Sequence, residues 1–483
     1  MSNPQTLLQK WRRDPVEFMQ ACINPETDTP FVLYEEQRTF ARKALTVTAE
    51  GTLPYPELLF SAPKKSGKTA FGALVALYII TVLGGKYAEG YCLANDEEQA
   101  QGRVFQAMAR IVAATPFLAE MCSVTKDRIV FIHDGSVVQA LANDFAGAAG
   151  ANPNVSVFDE LWAFTSERSH RLWDEMCVPP TRRAACRLTT TYAGFEGESK
   201  LLEDLYKRAI AADKVGTDLY EIPGQLLAYW THTFRAPWQS EAWREQMRTQ
   251  LRPTAFTRLV ENRFTSGESL FLDDIGWWDR AATGRPVLLD KSLVVSMGVD
   301  AGLKRDHAAV VATCYDHATG RVRLVAHRIF RPTAEDQLDL EDTLEETVKD
   351  FAKRFHVRDV RFDPWQFARS AQTLAKAGIH MVEFPQSIPN LTAMSSNLYE
   401  LFKGSNIEVY EDAELKLAMQ RAVAVESSRG MKIAKEKTSH KIDSVVALAM
   451  AALGAVSTPK PQETVKIDLN LKVGRKAPSF QIR

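Results

Sequence analysis

Apolar positions fall into two rhythms along the chain, short continuous runs bounded by turn residues and longer stretches with helical spacing, and the two alternate over most of the sequence. Continuous runs of this kind predict buried strands, and their alternation with helices predicts an α/β architecture with mainly parallel sheets. The run Glu57-Leu58-Leu59-Phe60-Ser61 is one such strand, and the loop Ala62-Pro63-Lys64-Lys65-Ser66-Gly67-Lys68-Thr69 separates it from an apolar stretch ending at Leu83. Phe71 to Leu83 is shorter than the roughly 20 residues that cross a bilayer, so it predicts a buried helix and no membrane span. Further strand runs end at Asp159, near Thr191, at Asp300 and at Asp363, and an apolar helix begins near Asp443. The texture changes between Phe256 and Asp290, where Gly267, Gly276, Trp277, Trp278 and Gly284 cluster before a new strand at Ser292. This predicts a first domain over 1–255, a linker over 256–289, a second domain over 290–458 and a tail over 459–483.

Composition narrows the class. The 483 residues carry 59 Lys and Arg against 60 Asp and Glu, with 45% hydrophobic and 25% charged residues, values that exclude wholesale disorder and a fibrous repeat. A net charge of -1 means that a polyanion must be met by local patches. The six cysteines are scattered without a CxxC pair, which fits a reducing compartment. The N-terminal stretch lacks the apolar core of a signal peptide, so secretion is not expected. Between Lys460 and Arg483 six basic residues face two acidic ones, a tail that suits a polyanion, a protein partner or plain solvent.

The order strand, loop 62–69, helix is the context of a phosphate-binding loop. In such a loop backbone N–H groups hold the phosphates; here Ser66 and Gly67 would shape the cradle, Lys68 would reach the β and γ oxygens, and Thr69 would bind Mg²⁺. A second signature is Asn154-Val155-Ser156-Val157-Phe158-Asp159-Glu160, an apolar strand ending in two acids. Asp159 would hold Mg²⁺ and Glu160 would polarise the attacking water, although such a pair can also cap the next helix. Tyr34 and Gln37 upstream suit an adenine, the ring by stacking and the amide by hydrogen bonds, or belong to an ordinary amphipathic helix. Leu188 to Gly194 ends a strand in Thr189, Thr190 and Thr191, where a γ-phosphate sensor would sit.

In the second half, Asp300 closes one strand, Asp363 closes a later one and Asp443 opens the last apolar helix. An ordered trio of carboxylates in this arrangement suits a ribonuclease-H-like nuclease, in which two divalent cations, Mg²⁺ or Mn²⁺, clamp the attacking and leaving oxygens of a phosphodiester. Individually, Asp443 also reads as a helix N-terminal charge and Asp363 as a turn residue.

With Gln37, Ala-Pro-Lys-Lys-Ser-Gly-Lys-Thr (62 to 69), Val-Phe-Asp-Glu-Leu-Trp (157 to 162), Thr-Thr-Tyr-Ala-Gly (190 to 194), Gly-Val-Asp-Ala-Gly (298 to 302), Phe-Asp-Pro-Trp (362 to 365) and Lys-Ile-Asp-Ser-Val-Val-Ala-Leu-Ala-Met-Ala (441 to 451) in this order, the chain resembles the large terminase subunit of tailed bacteriophages and prophages. The resemblance implies an additional-strand, catalytic-glutamate P-loop ATPase followed by a ribonuclease-H-like endonuclease. It also implies a motor that translocates double-stranded DNA into a procapsid and cuts concatemers. Implied partners are the portal protein, the small terminase subunit and further copies in a ring, a pentamer by the same resemblance, all in the host bacterial cytoplasm and away from membranes. The family's basic residue four positions before the loop lysine, usually arginine, corresponds to Lys64, with Lys65 competing for its part. Arg103 and Arg128 are candidates for an arginine that reaches a neighbouring subunit. Arg182, Arg183, Lys432, Lys435, Lys437 and Lys441 are candidate DNA phosphate contacts. The rival readings are a P-loop helicase or repair ATPase whose second domain binds DNA without cutting it, and a non-enzymatic assembly protein with a vestigial nucleotide site.

Overall fold

The computed structural model describes residues 4–93, 103–141, 150–301, 308–331, 340–427, 430–435 and 442–457. The tail from residue 458, Lys437 and Lys441 therefore lie outside the described residues. The chain divides into two compact units, residues 1–273 with 423–434 and residues 274–422 with those from 435 onward. The stretch 256–289, expected as a linker, is thus split at Asp273, because the helix Pro253–Leu259 buries Phe256 and Arg258 within the first unit.

The first unit is built on ten strands: β1 (Glu57–Ser61), β2 (Glu89–Leu93), β3 (Cys122–Val124), β4 (Arg128–Phe131), β5 (Val137–Leu141), β6 (Val155–Asp159), β7 (Cys186–Thr191), β8 (Asp213–Gly216), β9 (Leu219–Ile222) and β10 (Leu226–Trp230). Their spatial order is β8-β9-β10-β1-β7-β6-β2-β5-β4-β3. The six central strands, β10 to β5, run parallel and the two edges turn antiparallel. β7 lies between β1, which feeds the phosphate loop, and β6, which ends in Asp159, so the additional-strand architecture is present.

Alternation along the strands sends side chains to two cores, as a pleated sheet requires. Leu58, Phe60, Val155, Val157 and Leu188 pack with Ala73, Leu74 and Leu77 of the helix Lys68–Tyr78 on one face. Leu59, Phe158, Leu226, Ala228 and Trp230 pack with Leu202 and Leu205 on the other. The run Phe71 to Leu83 is the buried helix expected, its last turn widening to a π-turn over Ile79–Leu83.

The second unit contains β11 (Asp290–Asp300), β12 (Ala308–Asp316), β13 (Arg321–Phe330), β14 (Phe355–Phe362), β15 (Met381–Glu383) and β16 (Ile407–Glu408). The order is β15-β14-β11-β12-β13-β16; β11-β12-β13 form an antiparallel meander, and β14 joins β11 in parallel. This is the ribonuclease-H-like topology. One face buries Val295, Met297, Val299, Val348 and Phe351. On the strands β11 and β12 lies the helix Asp443–Val456. Gly298 permits that approach, since a Cβ there would collide with the Ala447 carbonyl.

Candidate functional site

The phosphate loop is held from outside itself. Lys64 N donates to the Leu259 carbonyl at 2.7 Å, Trp238 Nε1 to the Lys65 carbonyl at 2.7 Å, and Gln239 Nε2 to the Lys64 carbonyl at 3.0 Å. Gly67 caps the following helix at φ 82°, a left-handed conformation natural to glycine, and an added Cβ would stand 3.1 Å from the Trp238 ring. The buried hydroxyl of Ser66 has no hydrogen-bond partner among the described residues. A cavity of about 1480 Å³ opens over the loop, lined among others by Gln37, Lys64, Lys68, Thr69, Arg103 and Glu160. An unpaired buried hydroxyl, a glycine cradle and a lysine 5% exposed at a helix N-terminus fit an anionic ligand of nucleotide size.

Parallel pairing sets the acids beside this loop. Asp159 is in register with Thr190, whose Oγ1 donates to Asp159 Oδ1 at 2.7 Å. Desolvation pushes the Asp159 carboxyl well above the usual carboxylate range, the Glu160 charge adds to this, and the Thr190 hydrogen bond, Lys68 and Arg103 oppose it. A carboxyl so placed gains from a cation, and the oxygen donors of Asp159 and of Thr69, which lines the cavity, are of the kind that Mg²⁺ takes. Glu160 sits at φ 57°, an uncommon conformation for a non-glycine residue and one that clusters at functional sites. Its Oε1 lies 3.3 Å from Lys68 Nζ and its Oε2 accepts from Trp162 Nε1 at 2.9 Å. Lys64 also faces the cavity, and desolvation, with Lys65, Arg103 and Lys68 nearby, lowers its affinity for a proton against the opposing pull of Glu160.

Two expectations change at this site. Gln37 lines the cavity, but Tyr34 does not; its ring is 7% exposed and edge-on to Trp238 at 6.2 Å. Tyr34 therefore backs Trp238, which is 56% exposed and offers the cavity its aromatic surface. Arg103 lines the cavity of its own chain, whereas Arg128 opens β4 on the surface.

In the second unit, Val299 pairs with Phe362 on adjacent parallel strands, so Asp300 and Asp363 leave the same edge of the sheet one residue later. Asp363 Oδ1 accepts from Trp365 N at 3.1 Å and caps the helix Pro364–Lys376. Ala447 lies over Gly298 and Gly454 over Ser296, so the last helix runs opposite to β11 and brings Asp443, one turn before Ala447, to the Asp300 end. Asp443 is 6% exposed and borders a cavity of about 330 Å³ with Glu414, Ser444, Arg331 and Arg421. Among the described residues no three His, Cys, Asp or Glu side chains stand close enough together to hold one ion. The trio shares an edge, and its oxygen donors are those a hard divalent cation takes.

Some signals were invisible in the sequence, and Arg182, like Tyr34, misled. Arg182, a candidate DNA contact, is instead consumed within the fold: it donates to the Asn152 and Tyr87 carbonyls at 3.0 Å and pairs with Glu89 at 3.0 Å. Arg183 and Lys432 are exposed. Trp238, Arg258, Arg331 and Arg421 carry no motif; only their position in the fold marks them.

Residues 54–207 match the family described as "Terminase large subunit, ATPase domain" and residues 341–458 that described as "Terminase large subunit, endonuclease domain", together more than half of the chain. Among solved structures, the large terminase from a thermophilic bacteriophage is 12% identical, covering 88% of this chain and 100% of its own, with a TM-score of 0.54. The same protein in complex with ADP is 13% identical with a TM-score of 0.50, over 88% of this chain and 100% of that one. The large terminase of the HK97 bacteriophage is 15% identical over 92% of this chain and 99% of that one, with a TM-score of 0.42. At these identities the first two establish the shared fold. No curated protein matches the sequence.

Proposed function

The chain belongs to the large terminase subunits, DNA-packaging enzymes that join an ATPase to an endonuclease, and from that premise we propose which of its residues perform the two reactions. The observation that carries the motor assignment is that Lys68 and Glu160, 3.3 Å apart, line one cavity, with Asp159 next to Glu160 at the C-terminal end of β6. Backbone N–H groups of the loop and the Ser66 hydroxyl bind the ATP phosphates, with Lys68 on the β and γ oxygens and Lys64 beside them. Gln37 and Trp238 meet the base. Thr69 and Asp159 hold Mg²⁺, which when bound neutralises charge developing on the phosphates. As Lys68 turns from Glu160 to the phosphates, Glu160 Oε1 is released to take a proton from the attacking water.

In the second unit Asp300, Asp363 and Asp443 hold divalent cations, Mg²⁺ or Mn²⁺, and the guanidinium groups of Arg331 and Arg421 meet the phosphodiester backbone. No helix among the described residues is long and apolar enough to cross a membrane. The finer setting we infer from the family resemblance is a pentameric ring of copies docked on the portal protein with the small subunit, in the host cytoplasm. We infer that the functional division follows the two compact units, the motor limit expected at 255 extending to Asp273 and the nuclease lying beyond it apart from 423–434, with 459–483 as a tail.

A pair of substitutions tests both sites in the full chain. Glu160→Gln should lower ATP turnover by about 10²–10⁴-fold and leave Mg²⁺- or Mn²⁺-dependent plasmid cleavage intact. Asp363→Asn, which keeps the helix cap, should abolish cleavage and leave ATP turnover within about twofold. Cleavage retained by Asp363→Asn would instead favour a second domain that only binds DNA.

A further inference from the structure

We propose that Trp162, clamped from behind by the buried guanidinium of Arg258, is a positioning residue that keeps Glu160 aimed while Lys68 moves from the carboxylate to the nucleotide. The inference rests on Glu160 acting as the base. Neither residue has been given a part in the reaction by the motifs.

Arg258 is 9% exposed, and its Nε and Nη1 have no hydrogen-bond partner among the described residues. Unpaired donors on a buried cation are costly. What surrounds them is three aromatic rings: the guanidinium carbon lies 4.4 Å from the centroid of Phe195, 4.6 Å from that of Trp162 and 5.4 Å from that of Tyr192. Cation–π attraction strengthens when the pair is desolvated, and here it stabilises the face of the group whose Nε and Nη1 have no hydrogen-bond partner, while Tyr192 also hydrogen-bonds the guanidinium. Trp162 is further fixed by Tyr192 at 5.6 Å and 31°, by Phe195 at 6.1 Å and 74°, and by the Ser199 hydroxyl, which donates to its carbonyl at 2.8 Å. Gly194 completes the seat, because a Cβ there would collide with Ser199 and stand 2.9 Å from Trp162 Cβ.

The other side of this seat is the reaction centre. The indole Nε1 donates to Glu160 Oε2 at 2.9 Å, while Lys68 Nζ lies 3.3 Å from Oε1 and 4.7 Å from the Tyr192 centroid. Both carboxylate oxygens are thus engaged, one by a residue that must leave to serve the phosphates and one by a residue locked in an aromatic stack. When Lys68 departs, the indole alone fixes the carboxylate plane, and Glu160 keeps one oxygen directed at the water. Without it, a side chain on a left-handed backbone turn is free to rotate, and misplacement of a base by about 1 Å costs up to about a hundredfold in rate. Arg258 is next to Leu259, whose carbonyl accepts from Lys64 N, so the helix that carries the clamp also buttresses the phosphate loop.

Trp162→Phe removes the N–H and keeps a ring under Arg258. In the full chain it should lower kcat for ATP about tenfold, with KM and the stoichiometry of ADP binding unchanged. Arg258→Met should lower kcat roughly three- to tenfold, and Arg258→Lys, which restores a cation, should recover most of that loss. A Trp162→Phe protein with wild-type kcat overturns the proposal, as does a loss that appears in KM or in binding stoichiometry rather than in kcat. Glu160→Gln is the control on the underlying reading: if it retains turnover, Glu160 is not the base and both readings fall; if it is inactive while Trp162→Phe is not, the clamp alone falls.

Discussion

The two sites of this chain are assembled to different degrees. In the ATPase unit both acidic groups at the centre already have protein partners: Asp159 has Thr190, and Glu160 has Lys68 and Trp162. In the nuclease unit Asp300, Asp363 and Asp443 share one edge, but their donors are not gathered into a cage among the described residues. The physical reason is charge. A base flanked by a lysine can be built by the fold alone, whereas three carboxylates brought together without cations repel one another and lose hydration. Protein contacts therefore organise the motor centre, whereas the three nuclease-unit carboxylates share an edge without forming one cluster among the described residues.

The strongest probe of this contrast is Asn262. It is fully buried at φ 52°; its Oδ1 accepts from Ala193 N at 2.7 Å, and its Nδ2 donates to the Thr231 carbonyl at 2.8 Å and to Ser61 Oγ at 3.0 Å. One amide thus ties together the ends of β1 and β10 and the loop after β7. Asn262→Ala should destabilise the ATPase unit by about 2–4 kcal/mol and reduce ATP turnover, leaving metal-dependent cleavage in place. Denaturant unfolding with both activities followed checks this, and an unchanged midpoint would refute a pre-assembled motor.

Next in size is the response to cations. Titration with Mn²⁺ to about ten times its dissociation constant should stabilise the nuclease unit by about 1.4 kcal/mol, a rise of several degrees in melting temperature. Asp443→Asn should remove most of that rise. A stabilisation that persists in the variant would place the cations elsewhere.

A subtler effect concerns the neighbour of the Asp443 cavity. His327 Nδ1 lies 2.6 Å from the Tyr410 hydroxyl and its Nε2 lies 3.6 Å from Asp412, the cap of the helix Ala413–Arg421 that lines the cavity. Burial lowers its proton affinity, with Asp412 and Glu414 opposing. A histidine depressed in the folded state contributes its stability above the unfolded value of 6.5, and that contribution falls away as pH drops below 6.5. The melting temperature of the nuclease unit should therefore decline less between about pH 7.5 and 5.5 in His327→Asn, by a difference worth under about 1 kcal/mol. An identical decline would remove His327 as the cause.

Much of the fold and several site positions were legible in the linear chain. Strand runs ending in Asp159, Asp300 and Asp363, the glycine-lysine loop and the apolar helix opening at Asp443 are local patterns, and burial and turn chemistry act locally on them. The positions of Lys68, Thr69, Asp159 and Glu160 in the candidate site follow directly, since each stands at the end of an element whose type the pattern reveals. Tyr34 and Arg182 mislead because an aromatic ring and a guanidinium look the same in sequence whether they face a ligand or their own core.

Local pattern, then, settled which elements exist and which of them end in chemistry, while the meeting of those ends was left to the folded chain. That Asp159 faces Thr190, that a tryptophan far along the chain covers Gly67, and that Arg258 stands behind the indole holding Glu160 depend on parallel strand order and packing. Such contacts join residues remote in the chain, and the free energy that selects them comes from burial and complementarity between whole faces, which no local window contains.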